Sequence, residues 1–512
     1  MSIVTEEPRL HVDQTKADSL ATSLLFLLAL TVAQRFIGFL RNILFCGFMQ
    51  DDELGRWSLA FSFLVLASPL VVLGLPGSFG RYVERYRQRG QLRSFLAYTT
   101  AASLLCVAVA SAAIMATART WAWLVFGDAT LAPLVTLLTV TLVAVTASNF
   151  VTELLTALRR VRAVSVMQFV GSVTFAVLAV TLLAVTPLRE EAVIIAFGVS
   201  SLIAALGMIG PLRWVRREAT ASGSLMPRGQ LWRKLLPFAA WVWVINLTAN
   251  LFDAADRFMI VHFAKETGAT AESLVGQYHA SYVVPYLLVG VAGTVAAAIL
   301  PYLSHDWEAG DYAGVSRRLR LSFKLGSLGM TGVGAAILVG SPILFTWILR
   351  GRYDQGLSVL PWTLTYCAWF SLTIIAQNYL WCAEKARLGS LALAIGLATN
   401  IGLNFVLLPR FGLLGAVLAT AMANAVALTM VLYFSRRLGL AADRGMLACA
   451  ALPLALATGP YPAAAILLSV AALASRGSWL FDEGEKRELA AVAGRYWSRV
   501  RALVTSRRMA ST

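Results

Sequence analysis

The chain alternates between long apolar stretches and short polar segments. A window of about 20 residues finds fourteen apolar stretches long enough to cross a bilayer. Most are continuously apolar rather than alternating with period two, which favours helices over a barrel. We therefore predict an all-α integral membrane protein with about 14 transmembrane helices. Their approximate limits are 20–48, 56–80, 94–118, 130–157, 163–186, 191–212, 235–262, 276–303, 323–349, 356–383, 388–408, 413–435, 445–459 and 461–481.

The composition agrees with a membrane protein. The chain of 512 residues is 58% apolar and 14% charged, whereas soluble domains carry about 25% charged residues. Soluble globular, disordered and disulfide-framework proteins are thereby excluded, since the five cysteines all lie in apolar stretches without paired or metal-ligand spacing. No small-residue cleavage site follows the first apolar stretch, so we expect a membrane span rather than a signal peptide.

The basic residues predict the topology. Most of the 43 lysines and arginines fall in alternate loops on one side, which the positive-inside rule makes cytoplasmic. Both termini are then cytoplasmic, and the net charge of +16 reflects topology and contact with anionic lipids rather than nucleic acid. The tail fits either a basic amphipathic helix on the inner leaflet or a plain topogenic segment. The opposite side receives Arg56, Arg119, Arg189, Lys265, Arg350, Arg352 and Arg410.

An internal repeat divides the chain into two similar halves. Leu54–Ala60 matches Val275–Ser281, and Leu155–Ser165 matches Leu380–Ser390, at offsets of 221 and 225 residues. Because six spans preserve direction, we predict parallel repeats with a substrate site between two six-helix lobes, followed by two extra C-terminal helices. The predicted parts are an N-terminal cytoplasmic segment, N-lobe, linker, C-lobe, extra spans and basic tail, at 1–19, 20–212, 213–234, 235–435, 445–481 and 482–512.

Two arginines lie inside the first predicted span. Arg35 and Arg41 are about 9 Å apart along a helix and about 120° apart around it, so both can face one wide cavity. Two cations in a water-filled cleft suit a multiply charged anion such as pyrophosphate. In the alternative interpretation, Arg41 extends to the membrane surface and Arg35 pairs with Glu153 of the fourth span.

The seventh predicted span carries Asp253, Asp256 and Arg257. Asp253 and Arg257 are at positions i and i+4, which favours an internal salt bridge and leaves Asp256 to bind a coupling ion, Na⁺ or a proton. Asn400 and Asn404 share one face of the eleventh span, and Thr420 on the twelfth can join them as a neutral oxygen ligand. Helix packing is the alternative role for the two asparagines.

The chain lacks the sequence motifs of common enzymes. No nucleotide-binding P-loop, zinc-protease motif or nucleophile elbow occurs in it, and the four histidines lie far apart. We therefore predict a protein that is not an enzyme and has no catalytic residues, metal site or cofactor.

Four segments within residues 20–435 carry a family resemblance. They are Gln34–Asn42 with its Arg-x-x-Gly-x-x-Arg pattern, Phe252–Arg257, Val275–Ser304 ending in Pro-x-x-Ser, and Thr399–Thr420. In these segments the chain resembles the polysaccharide flippase branch of the multidrug/oligosaccharidyl-lipid/polysaccharide (MOP) exporter superfamily, which includes Wzx-like and MurJ-like flippases.

The resemblance implies a V-shaped pair of six-helix lobes that flips a lipid-linked saccharide by alternating access. It implies substrate binding by Arg35 and Arg41, with Arg257 and Arg81 as further candidates. It also implies a Na⁺ site formed by Asp256, Asn400, Asn404 and Thr420, with Asp253 nearby. Two departures favour a polysaccharide-unit flippase over a lipid II flippase. Asn404 stands where relatives often have an acid, and Arg81 lies at the end of the second span rather than inside it.

We therefore predict an inner-membrane flippase for a polyprenyl-pyrophosphate-linked oligosaccharide, such as an O-antigen or exopolysaccharide unit of the cell envelope. The alternatives are a MurJ-type lipid II flippase and a cation-coupled drug antiporter of the same superfamily, although the cations of the first span disfavour the antiporter. The expected partners are the lipid-linked saccharide, membrane lipids, a polysaccharide polymerase and glycosyltransferases.

Overall fold

A computed structural model describes residues 14–210, 228–264, 270–487 and 489. Helices dominate these residues, and none of the described residues forms a β-strand. The α-helices are α1 Gln14–Phe48, α2 Asp51–Val71, α3 Phe79–Gln88, α4 Leu92–Ala116, α5 Ala118–Phe126, α6 Ala132–Ala157, α7 Val161–Val185, α8 Glu190–Leu206, α9 Arg228–Phe263, α10 Ala271–Val283, α11 Tyr286–Glu308, α12 Tyr312–Ile343, α13 Asp354–Cys382, α14 Ala386–Arg437, α15 Arg444–Ala451 and α16 Pro460–Arg476.

The all-α membrane architecture predicted from the sequence is confirmed. Ten helical segments of the described chain are long and apolar enough to cross a membrane, and shorter helices account for the other predicted spans. The predicted eighth span is broken at Pro285 into α10 and α11. The predicted second span was too long: α2 ends at Val71, and residues 79–80 begin the separate amphipathic helix α3.

The first turn of α2 explains where that helix begins. Three acids, Asp51, Asp52 and Glu53, lie at its N-terminus, where the helix dipole favours negative charge. The Glu53 carboxylate also accepts a hydrogen bond of 2.9 Å from the backbone N–H of Gln50, as in a capping box. The start of α2 is therefore fixed by local chemistry at the membrane surface.

The 52-residue helix α14 folds back on itself at Gly412. Gly412 has φ 53° and ψ −134°, a conformation that side chains disfavour. Pro409 lies just before it and cannot donate a helical hydrogen bond. The two arms correspond to the predicted spans 11 and 12, and the turn brings Asn400 to within 3.2 Å of Thr420.

Helices α1 to α8, here called the first half, pack largely on one another, and so do α9 to α14, the second half. The halves meet where α2 runs against α10 and α9. We call the membrane side that carries the arginine-rich loops the basic side and the opposite side the far side. Helices α15 and α16 pack on α12. Most of the predicted N-terminal segment, linker and tail lies outside the described residues.

A buried ionic cluster attaches the segment after α16 to α12. Lys324 is fully buried, and its Nζ lies 2.8 Å from a carboxylate oxygen of Glu485, which is also fully buried. The same Nζ lies 2.5 Å from the carboxylate of Asp443, which caps α15. A buried lysine needs such partners, so this cluster fixes the described end of the chain to the second half.

Candidate functional site

A wide cavity of about 850 Å³ lies among helices of the first half and reaches α9 of the second half. Its walls come from α1, α2, α6, α7, α8 and α9, so residues distant in sequence converge on one space. Among the described lining residues, the charged side chains are Arg35, Arg41 and Glu153. The remaining polar lining is neutral: Thr31, Gln34, Ser68, Thr146, Ser148, Asn149, Thr152, Gln168, Ser172, Ser200, Ser201, Asn246 and Asn250.

The two predicted arginines of α1 both line this cavity. The Arg35 side chain is exposed and lies against α11, where a Cβ added to Gly290 would come within 2.6 Å of its Nη1. Arg41 is half-buried, with its guanidinium carbon 4.3 Å from the ring centre of Phe175. Its Nε is buried and has no hydrogen-bond partner among the described residues. Both cations are thus available to an anion.

Glu153 lines the same cavity without neutralising either arginine. Within the described part of the chain, no carboxylate forms an ion pair with Arg35 or Arg41, and Glu153 forms no hydrogen bond through its side chain. The sequence alternative in which Arg35 pairs with Glu153 is therefore not what the structure forms. The three charged side chains face one space separately.

One part of the cavity lining is aromatic. Phe61, Phe175 and Phe197 line it. The ring of Phe197 contacts the other two, and all three contact the buried ring of Trp57. The Arg41 guanidinium lies over this cluster, an arrangement in which a cation is stabilised by the face of the ring. Apolar ring faces and a cation therefore adjoin at the same end of the cavity.

The other two predicted substrate arginines lie elsewhere. Arg81 is an exposed residue of α3, 5.1 Å from the ring centre of Phe238 on α9, and it does not line the cavity. Arg257 lines a separate small pocket in the second half. The structure therefore brings Arg35 and Arg41 together but not Arg81 and Arg257.

The predicted coupling-ion residues converge around the Asp256 carboxylate, which is buried. Asn400 and Asn404 donate to its Oδ1 at 2.9 and 2.8 Å. Thr420 and Tyr278 donate to its Oδ2 at 2.5 and 3.0 Å. The fold-back of α14 at Gly412 explains how Asn400 and Thr420 reach the same carboxylate. Tyr278, on α10, is a hydrogen-bond donor to this carboxylate that the sequence analysis missed.

We call Asp256 and the four side chains that donate to it the Asp256 cage. Its side chains carry the kinds of oxygen atom that form a hard-cation site. Its side chains offer a carboxylate, two amides and hydroxyl groups, and oxygen atoms of these kinds bind hard cations. The Oδ1 of Asn404 is buried without a hydrogen-bond partner among the described residues. Rotating the two amides would turn their oxygens toward the Asp256 carboxylate. No group of three or more His, Cys, Asp or Glu side chains suited to a metal occurs in the described residues.

The predicted salt bridge between Asp253 and Arg257 is wrong. Arg257 instead donates from Nη1 to the backbone carbonyl of Asp253, at 2.7 Å. Its guanidinium also lies within 6 Å of the rings of Tyr278 and Tyr282. The i,i+4 spacing allowed the pair, but the main-chain oxygen one turn earlier is the closer acceptor. Asp253 lines the small pocket with an exposed side chain.

That pocket is much smaller than the arginine cavity. Its volume is about 20 Å³, enough for an ion or a water molecule but not for an organic substrate. Asp253, Asp256 and Arg257 line it from α9, and Thr420 lines it from α14. Helix α9 also places Asn250 in the large cavity, so one helix contributes to both spaces.

On the far side, the repeat partners Gly55 and Gly276 meet face to face. A Cβ on Gly55 would overlap the carbonyl oxygen of Glu272, and one on Gly276 would overlap the carbonyl oxygen of Asp51. Ser273 and Gln277 also donate to the Asp51 carboxylate, at 2.6 and 3.1 Å. We call this contact between α2 and α10 the far-side seal. The sequence repeat paired the two glycines without predicting that they touch.

The halves also touch near the basic side, where α2 ends against α9. The indole N–H of Trp243 donates to the carbonyl of Leu70 at 3.2 Å. Gly74 has φ +68°, and a Cβ there would lie 2.5 Å from the carbonyl oxygen of Ala239. The same α2 helix therefore contacts the second half at both of its ends.

Sequence comparison finds a family match over more than half of the chain. The family described as "Polysaccharide biosynthesis protein" matches residues 20–307. The uncharacterized membrane protein YabM of Bacillus subtilis (strain 168) is 26% identical over 214 residues. That alignment covers 41% of this chain and 39% of YabM.

Two solved structures are similar in fold. The lipid II flippase MurJ in an inward closed conformation gives a TM-score of 0.66 at 12% identity, covering 88% of this chain and 99% of that chain. An inward-facing multidrug resistance MATE family transporter of the MOP superfamily gives 0.62 at 12% identity, covering 80% and 96%. At these identities the likeness shows the fold, which is that of MOP-type membrane transporters.

Proposed function

Because the chain belongs to the polysaccharide biosynthesis protein family, we propose that it is a flippase for a polyprenyl-pyrophosphate-linked oligosaccharide. We place it in the inner membrane with both termini cytoplasmic. The observation that carries the proposal is the pair Arg35 and Arg41, which line one cavity of about 850 Å³. No carboxylate among the described residues pairs with either arginine.

The cavity chemistry suits a pyrophosphate. A guanidinium is planar, always charged and able to hold two phosphate oxygens at once. Two such groups separated along α1 can engage the two phosphates of a pyrophosphate without crowding each other. An unpaired cation inside a membrane span is costly, which favours a role in binding.

The neutral lining suits the saccharide. Hydroxyl and amide side chains on α6, α7, α8 and α9 offer hydrogen-bond donors and acceptors to sugar hydroxyls. Phe61 and Phe197 present apolar ring faces to the same space, against which the C–H faces of sugar rings can pack. An oligosaccharide is bulky, and a cavity of this volume leaves room for it.

The Asp256 cage supplies the coupling ion site of the proposal. Binding of Na⁺ or a proton there changes the charge at the carboxylate. Its hydrogen bonds with Asn400, Asn404 and Thr420 then change, and these three residues belong to α14. Helix α9 extends from this cage to Asn250 in the arginine cavity. An ion that prefers one arrangement of α9 would therefore shift the population of cavity conformations.

The far-side seal fits a state that receives substrate from the basic side. Opening the contact between α2 and α10 would connect the cavity to the far side, which is one step of alternating access. The two halves would act as the moving lobes. Glycosyltransferases must build the lipid-linked saccharide beforehand, and a polymerase or ligase would use it after translocation.

A transport assay in proteoliposomes tests the proposal. The purified chain is reconstituted with an undecaprenyl-pyrophosphate-linked oligosaccharide, and the outward fraction is measured with an external glycosidase. We expect translocation by the wild type and none by the R35A/R41A double variant at equal folded protein. No translocation by the wild type, or full activity of the double variant, would contradict it. Parallel assays with lipid II and with a cationic drug separate the two alternatives.

A further inference from the structure

The arginine cavity contains an acid that the proposed pyrophosphate binding does not use. Glu153 of α6 lines the cavity with an exposed side chain, which forms no ion pair or hydrogen bond with the described residues. An ionisable side chain within a membrane span is expensive and is usually kept for a specific partner. Since Arg35 and Arg41 do not pair with it, its carboxylate is open to a bound substrate.

Glu153 is separated from the arginines within the cavity. It lies on α6, four residues before that helix ends, whereas both arginines lie on α1. Its carboxylate forms an ion pair with neither of them.

The cavity therefore has two cationic groups on α1 and a separate acidic group on α6, and neutral polar side chains also line it. A substrate whose pyrophosphate engages the α1 arginines would bring its saccharide, the adjoining part of the molecule, into the same cavity as Glu153.

We propose that Glu153 binds a positively charged amino group on the saccharide, so that the transported unit carries a free amine, as an unacetylated amino sugar does. This inference rests on the proposed function and specifies its substrate class. An ammonium supplies what Glu153 lacks: a compact cation with hydrogen-bond donors. The neighbouring neutral residues Asn149 and Thr152 of α6 already hydrogen bond elsewhere, to Ser68 and to the backbone of Ser148.

The test compares two lipids that differ only in one acetyl group. The full chain in lipid nanodiscs is titrated with undecaprenyl pyrophosphate bearing glucosamine or N-acetylglucosamine, and the two dissociation constants are measured. We expect the free amine to bind about tenfold more tightly. E153Q should remove that preference, so that the two lipids bind with equal affinity. E84Q, which removes an acid of α3 outside the cavity, should retain the preference.

The outcomes separate this inference from the function on which it rests. Equal binding of both lipids by the wild type, with loss of binding in R35A, would contradict amine binding by Glu153. The proposed flippase function would not be affected by that result. Absence of binding to either lipid would count against the flippase itself. A change in Na⁺ dependence of E153Q, with the amine preference intact, would make Glu153 an inorganic cation site and overturn the proposal.

Discussion

The charged side chains of the arginine cavity lack ion-pair partners among the described residues, whereas the buried carboxylate of the small pocket around Asp256 is fully hydrogen bonded. In the cavity, Arg35 and Arg41 face a space of about 850 Å³, and no carboxylate among the described residues pairs with either. In the pocket of about 20 Å³, the Asp256 carboxylate accepts four hydrogen bonds. Charges left unsatisfied in a wide space suit a large, variable ligand, whereas a tightly held carboxylate suits a small ion. In our proposal, substrate and coupling ion therefore bind in different halves of the molecule.

The largest expected effect comes from removing the carboxylate of the small pocket. D256A leaves the donors of Asn400, Asn404, Thr420 and Tyr278 without their acceptor in a buried site. We expect the free energy of unfolding to fall by about 2 kcal/mol or more, with loss of coupled transport. Thermal unfolding of the purified protein measures the first effect. D253A, at an exposed position of the same helix, is the matched control, and an equal loss there would contradict the difference drawn between the two acids.

The next effect concerns access to the cavity. G55V places side-chain atoms against the backbone carbonyl of Glu272, which cannot move aside without separating α2 from α10. We expect a population shift toward an opened far side. Distances between spin labels on the first turns of the two helices measure it. G47A, at a position with open space, should leave the distances unchanged. Unchanged distances in G55V would show that this contact is not a seal.

A smaller effect should follow from moving one arginine without removing it. G290A puts a Cβ 2.6 Å from the Nη1 of Arg35, so the guanidinium must shift. We expect the affinity for undecaprenyl pyrophosphate to fall about three- to tenfold with little change in stability. G293A, on the same helix and facing open space, is the control. Equal affinities in G290A and wild type would show that the position of Arg35 is unimportant.

The smallest effect is expected at Arg81. This residue lies outside the cavity, on exposed α3, so R81A should change pyrophosphate-lipid affinity by less than about twofold. The same titration measures it. A loss comparable to that of R35A would restore Arg81 to the substrate site predicted from the sequence.

Much of the fold could be predicted from the sequence because each membrane span carries its own apolar signal. The predicted limits of α4 and α7 agree with the structure to within a few residues. The error at α2 arose because apolar residues continue past Val71 into α3, whose apolar face packs against protein rather than spanning the membrane. Amphipathic packing and membrane burial look alike in a simple hydropathy window.

The candidate site could be predicted only in part. The set around Asp256 was predicted from polar residues inside the spans and from a family resemblance, and the structure brings it together. The Arg257 hydrogen bond, the Gly55 contact and the Gly290 contact depend on distances between chain segments, which a single sequence does not encode. Side-chain spacing along one helix predicted possible pairs but could not decide among competing acceptors.

A structure of the full chain in nanodiscs with bound undecaprenyl pyrophosphate tests the central claim most directly. The account predicts phosphate density within hydrogen-bond distance of the guanidinium groups of Arg35 and Arg41, inside the cavity between α1, α6 and α7. Phosphate density at Arg257 or at the α3 surface, with the α1 arginines unengaged, would contradict it.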